Sequence, residues 1–196
     1  HHTWTNVLGK DPDVGYGLLR ISTAQRWRPF YLAQSLYAVL LALLFEWGIA
    51  IQELELGRVA SGRMKLNDIR PQLQRTGRKI RAQVLKDYIA WPLLAVVLAL
   101  PFVMSGIGPS LLSVFLWVLA ANVIANVLRN LWTYMIIFCG HFPADVHVFT
   151  KAQVEGENRA RWYLRQLLGS ANIGGGKLFH VPSGNLSHQI EHHLFP

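Results

Sequence analysis

The chain has 196 residues, of which 52% are hydrophobic and only 15% charged, with a net charge of +8. That balance is too apolar for an ordinary soluble domain. The positive excess in so apolar a chain marks a cytoplasmic membrane face and speaks against a nucleic-acid partner. A single cysteine, Cys139, excludes a disulfide framework and a cysteine-based zinc cluster.

The opening, HHTWTNVLGKDPD, has no apolar core, so no secretory signal peptide is expected there. Residues 30–52, FYLAQSLYAVLLALLFEWGIAIQ, form the first apolar segment. A helical span needs roughly 20 such residues. Glu46 lies inside it and would cost about 2–3 kcal/mol at a bilayer centre. The expectation is therefore a membrane-inserted helix that is re-entrant or interfacial and does not cross fully. Residues 57–87 follow with nine Lys/Arg against two Asp. Ile69, Leu73, Ile80, Val84 and Tyr88 keep helical spacing there, which predicts an amphipathic helix on the membrane surface. The basic run reads either as a topology signal or as a docking surface for an acidic partner or a phosphate-bearing substrate. Residues 88–106 and 111–140 are expected to span, joined by the turn GIGPS as an antiparallel pair. Residues 141–196 then form a cytoplasmic cap. Within it, 151–177 reads as a polar amphipathic helix ended by glycines, and LFHVPSGN as a loop. The fold class that follows is all-α: a multi-pass membrane protein of two spanning helices and one re-entrant or interfacial helix, under a histidine-rich cytoplasmic cap.

The histidines are segregated. His1, His2, His141, His147, His180, His188, His192 and His193 leave residues 3–140 without one. With two spans, all of them can meet on one side. In SGNLSHQIEHHLFP, Gln189, His192 and His193 stand at i, i+3, i+4, and His188 and His192 at i, i+4. Either set puts side-chain donors on one helical face. Neutral imidazole suits iron, zinc, copper and nickel, and a nitrogen-rich shell without cysteine makes iron the option of interest. HQIEHH does not supply the His-Glu-x-x-His of zinc proteases. His1 and His2 are either the end of a purification tag or natural residues, and the TWTNVLGKDPD that follows favours the second. His147 and His180 read as loop or supporting residues, and His141 as a ligand in preference to a membrane-boundary anchor. Asn122, Asn126 and Asn130 recur every fourth residue on the last span. They either bond a neighbouring helix or, through Asn126 and Asn130, support the metal site.

These residues resemble the membrane fatty acid desaturases. HQIEHHLFP is similar to the third histidine box of that family, in the form where Gln189 replaces its first histidine. HHTWTN is similar to the end of the second box, with His1 and His2 its last two members, and FCGHF to the extra histidine after the fourth span, here His141. The resemblance covers essentially the whole chain and is nearest to bacterial acyl-CoA desaturases of the linoleoyl-CoA type. It implies two iron ions held by His1, His2, His141, His188, Gln189, His192 and His193. It also implies O2 as oxidant, a fatty acyl substrate as acyl-CoA or acyl-lipid, and an electron donor such as a ferredoxin, cytochrome b5 or a flavin reductase. No flavin or NAD fingerprint occurs in the chain. The first histidine box, the first two spans and the start of the second box are absent, so the chain is expected to be the C-terminal portion of a longer protein. Ile137 stands where the stearoyl-type branch has an asparagine one turn before the extra histidine. Gln189 is a poorer ligand than histidine, which gives His188 more weight. Hydroxylation or epoxidation of an acyl chain uses the same ligands, and a non-catalytic membrane metal-binding protein is the reading from a different class.

Overall fold

The computed structural model describes residues 2–60 and 62–195, and among these helices are the only regular elements. The chain divides into two units, His1–Gln52 with Asn130–Pro196, and Glu53–Arg129.

The second unit holds α3 (Leu56–Ala60), α4 (Leu66–Leu85), α5 (Trp91–Met104) and the first part of α6 (Leu111–His141). The amphipathic stretch expected as a separate surface helix is continuous with the following span. Leu66–Met104 is one helix of 39 residues, joined through a π turn at Lys86–Ala90. Pro92 supplies the reason. It has no N–H to give the carbonyl of Tyr88 and its ring crowds that carbonyl, so the ladder widens and the Trp91 amide bonds Lys86 O instead. The turn's polar groups are satisfied by the asparagine stripe. Asn122 Nδ2 donates to the Asp87 carbonyl, and Asn126 Nδ2 donates to Asp87 Oδ2 at 3.2 Å and to Tyr88 Oη at 3.1 Å. In a lipid setting such bonds join helices that have no hydrophobic reason to associate.

Leu66–Met104 and Leu111–His141 are long and apolar enough to cross a membrane. At 1.5 Å per residue they run about 58 and 46 Å, beyond the roughly 30 Å of a hydrocarbon core. Leu93, Leu98, Phe102, Leu116, Trp117 and Ile124 face outward, as lipid-contacting side chains do.

In the first unit, residues 30–52 do not form one straight rod. Pro29–Leu43, whose regular part is α1 (Gln34–Leu43), meets α2 (Phe45–Gln52) at 105°. Asn130 Oδ1 accepts the Glu46 amide at 3.1 Å, which pins the start of α2 to α6. The core beside the bend is Tyr16, Leu19, Leu41 and Phe45, extended by Tyr134, Phe138 and Phe142 of α6 and the residue that follows it. Tyr16 meets Phe45 edge-on at 5.5 Å and Phe142 at 5.8 Å.

After α6, the helix expected over 151–177 shrinks to α7 (Arg159–Leu168). Gly156, at φ +67°, turns the chain before it, and Asn158 caps it by accepting the Arg161 amide at 2.9 Å. A short α8 (Lys177–His180) and a run of turns replace the expected loop, and α9 (Gln189–Leu194) carries the last histidines.

Candidate metal centre

The i, i+3, i+4 spacing holds on α9. Gln189 and His193 are buried on its inner face and His192 is half-buried. His141 closes α6 against them, with its Nε2 3.1 Å from His193 Nε2. His2 completes the group: its ring stacks on His193 at 4.9 Å and meets His192 edge-on at 4.7 Å. His1 lies outside the described residues.

The backs of two rings are tied. His141 Nδ1 lies 2.7 Å from the Ile137 carbonyl. A carbonyl only accepts, so Nδ1 carries the proton. In a neutral imidazole Nε2 is then a lone pair aimed at His193. His193 Nδ1 lies 3.0 Å from Thr5 Oγ1, which also reaches the His2 carbonyl at 3.4 Å. When Thr5 donates to His2, it accepts from His193 Nδ1–H. His193 Nε2 then faces the His141 Nε2 lone pair at 3.1 Å, a spacing that one shared cation or one shared proton can bridge. A fixed Nδ1–H with a bare Nε2 is the arrangement of metal-bound histidines generally. Burial, and then the imidazoles of His141, His2 and His192, hold His193 down to about 3 from its ordinary 6.5. It is neutral and ligand-competent at physiological pH. The unfolded chain's histidine takes up its proton near 6.5, so this group draws stability from the fold as pH falls below that value.

Two further observations fit a metal. Two nitrogens about 2.1 Å from one ion at near-right angles stand about 3 Å apart, as His141 and His193 do. Gln189 is 1% exposed and its Nε2 donates to Leu186 O at 2.6 Å, while its Oε1 is buried without a hydrogen-bond partner among the described residues. An orphaned buried amide oxygen is costly unless something else occupies it. Among the described residues no three His, Cys, Asp or Glu side chains form a complete metal-holding group. The assembled part is the His141–His193 pair, with the Gln189 side chain packed at Gly140, the residue before His141.

The remaining candidates lie elsewhere. His188 stacks on His180 at 4.5 Å, and His180 is itself bonded to Ser187 Oγ and Gly175 O, each at 2.7 Å. His147 packs against Phe149. Asn126 bonds the π turn and Asn130 the Glu46 amide, so the stripe joins helices and, among the described residues, bonds no site histidine. The support expected of it comes from the Ile137 carbonyl, at the very position where an asparagine was missed, and from Thr5.

Sequence reasoning missed three residues. Asn6, fully buried at φ +55°, donates through Nδ2 to the carbonyls of Gly169 (2.8 Å), His141 (3.2 Å) and His147 (3.3 Å). Arg165 forks onto Glu157 with two bonds of 2.8 Å and also donates to Thr5 O and Thr3 O. Gln166 Nε2 donates to the His2 carbonyl at 2.9 Å. Nothing in RARWYLRQLL marks Arg165 or Gln166, because the carbonyls they hold lie about 160 positions away. Arg165 is 2% exposed and Glu157 12%. Arg165→Leu should therefore cost about 3–5 kcal/mol by leaving a buried carboxylate unpaired. The double variant Arg165→Met/Glu157→Gln should recover a large part of that in denaturation experiments.

The chain is 44% identical over 196 residues to an NADPH-dependent stearoyl-CoA 9-desaturase of Mycobacterium tuberculosis, covering all of this chain and 43% of that protein. It is 29% identical over 206 residues to an sn-1 linoleoyl-lipid 6-desaturase of Synechocystis (all of this chain, 51% of that protein). It is 25% identical over 198 residues to an acyl-lipid (7-3)-desaturase of Rebecca salina (all of this chain, 41% of that protein). The chain thus spans about half the length of the curated relatives it matches or less. No solved structure matches it. Residues 1–196 match the family described as Fatty acid desaturase, and the chain belongs to that family.

Proposed function

We propose that this chain carries the greater part of the metal centre of an oxygen-dependent acyl desaturase, acting on a fatty acyl-CoA. The carrying observation is the His141–His193 pair, with its Nε2 atoms 3.1 Å apart and each Nδ1 tied to a partner. Two iron ions would be held by His1, His2, His141, Gln189, His192 and His193, with His188 the outlying candidate. When bound, the iron pair supplies from O2 an oxidant able to take hydrogen from an unactivated C–H bond.

The chain's own residues do the rest. The Ile137 carbonyl fixes the tautomer and ring direction of His141, and the Thr5 hydroxyl holds the ring direction of His193. Phe142, the end of the aromatic group of Tyr16, Phe45, Tyr134 and Phe138, stands 5.9 Å from the His141 ring, and that ring's burial suits chemistry from which water must be kept. The apolar faces of α5 and α6 suit a lipid-embedded enzyme, with its histidine site read as cytoplasmic.

The thioester form of the substrate and the origin of the electrons in NADPH follow the mycobacterial relative's name. A separate reductase delivers the electrons. The stoichiometry is loss of two hydrogens from the acyl chain and reduction of O2 to two waters, with two electrons and two protons added. The test is incubation of the intact protein with stearoyl-CoA, O2, NADPH and a reductase, reading product unsaturation and iron per chain. An unsaturated acyl product with two irons per chain is expected. Hydroxylated product alone would move the assignment to hydroxylation, and an inert, iron-loaded protein to metal binding without catalysis.

A further inference from the structure

We infer that Gln166 of α7 is a positioning residue for the metal centre: by donating to the His2 carbonyl it sets where the His2 imidazole stands against His192 and His193. The inference rests on the metal reading of the histidine cluster.

Residues 2–5 form turns and bends without regular structure, so no ladder of backbone bonds fixes them. What holds them is α7. Gln166 Nε2 takes the carbonyl of His2 at 2.9 Å, and Arg165 takes those of Thr3 at 3.0 Å and Thr5 at 3.2 Å. Arg165 is itself immobilised by its two bonds to Glu157. Two successive side chains of one helix thus hold three carbonyls in a four-residue segment. That segment carries one imidazole of the cluster and the Thr5 hydroxyl that meets another.

Gln166 can be separated from plain structural glue. It is fully buried, yet among the described residues its Oε1 has no hydrogen-bond partner. A buried amide with half its capacity unused is a poor way to fill space, and leucine or methionine of similar volume would avoid the orphaned oxygen. The amide earns its place through the one bond it makes, and that bond ends on the backbone of a candidate ligand.

The experiment uses Gln166→Leu and Gln166→Met in the intact protein, titrated anaerobically with Fe2+ and, in parallel, with Co2+ for its visible spectrum. Thermal unfolding of the metal-free form is followed alongside. Metal affinity should fall 10- to 100-fold, the range for partners that orient metal ligands. The Co2+ spectrum should change, and the metal-free Tm should be equal or higher. Affinity within twofold of wild type in both variants would overturn the proposal. So would a loss of affinity that merely tracks a falling metal-free Tm. If the wild type itself takes up neither ion, the metal reading fails and the positioning role falls with it. A wild type that binds beside unaffected variants removes the positioning role alone.

Discussion

Replacing His192 by alanine in the intact protein should abolish formation of unsaturated product while leaving the metal-free fold essentially intact. The ring is half-buried, meets His2 edge-on at 4.7 Å, and makes no hydrogen bond among the described residues. Its removal therefore leaves no polar group stranded, and the change in stability should stay near the ±0.5 kcal/mol typical of such sites. Residues that only orient a metal ligand cost 10–100-fold when changed. Loss of the ligand should cost at least about a hundredfold in activity, with iron per chain falling in step. His193→Ala serves as the contrast. His193 is fully buried and bonded to Thr5, so its loss should lower both iron and stability. Product formation by His192→Ala at a tenth of the wild-type rate or more would end its assignment as a ligand.

The reason His192 can be isolated this way was legible in the sequence. The i, i+3, i+4 set of Gln189, His192 and His193 fixes a helical face wherever that helix sits, because the spacing is local. The two apolar spans and the exclusion of histidine from them are likewise matters of composition. What the sequence could not show is set by partners far away in the chain. Asn6, Arg165 and Gln166 look like ordinary turn and surface residues in their own neighbourhoods. Their roles come from carbonyls of residues 135 to 164 positions distant. The π turn is an intermediate case. Pro92 announces a break in the ladder, but only the meeting with Asn122 and Asn126 shows that the break is bridged and the helix continues into α4. The same meeting gives Asn122 and Asn126 their partners in the π turn, while Asn130 takes the Glu46 amide.

Gly140→Ala should damage the centre from behind, although alanine favours a helix interior by up to about 1 kcal/mol over glycine. A Cβ at residue 140 would fall onto Gln189 Cγ, with Gln189 Cδ at 3.2 Å. Gly140 precedes His141, and its carbonyl accepts the Ala171 amide at 2.8 Å, so α6 is not free to retreat. Gln189 must move instead, and with it the first turn of α9. Overpacking of this kind costs typically about 1–3 kcal/mol. Fe2+ affinity should fall about 10- to 100-fold, since the Gln189 amide leaves the cluster and His193 shifts from His141. The double variant Gly140→Ala/Gln189→Ala separates the two effects. With Cγ gone, the nearest Gln189 atom to the added Cβ is its own Cβ at 3.4 Å, an ordinary contact. Stability should therefore return to that of Gln189→Ala alone, giving a coupling energy of the opposite sign to the clash. Iron affinity should not return, because the amide oxygen that the fold keeps buried and unpartnered is no longer there. Recovery of wild-type iron affinity in the double variant would show that Gly140 protects only packing and that Gln189 is no ligand.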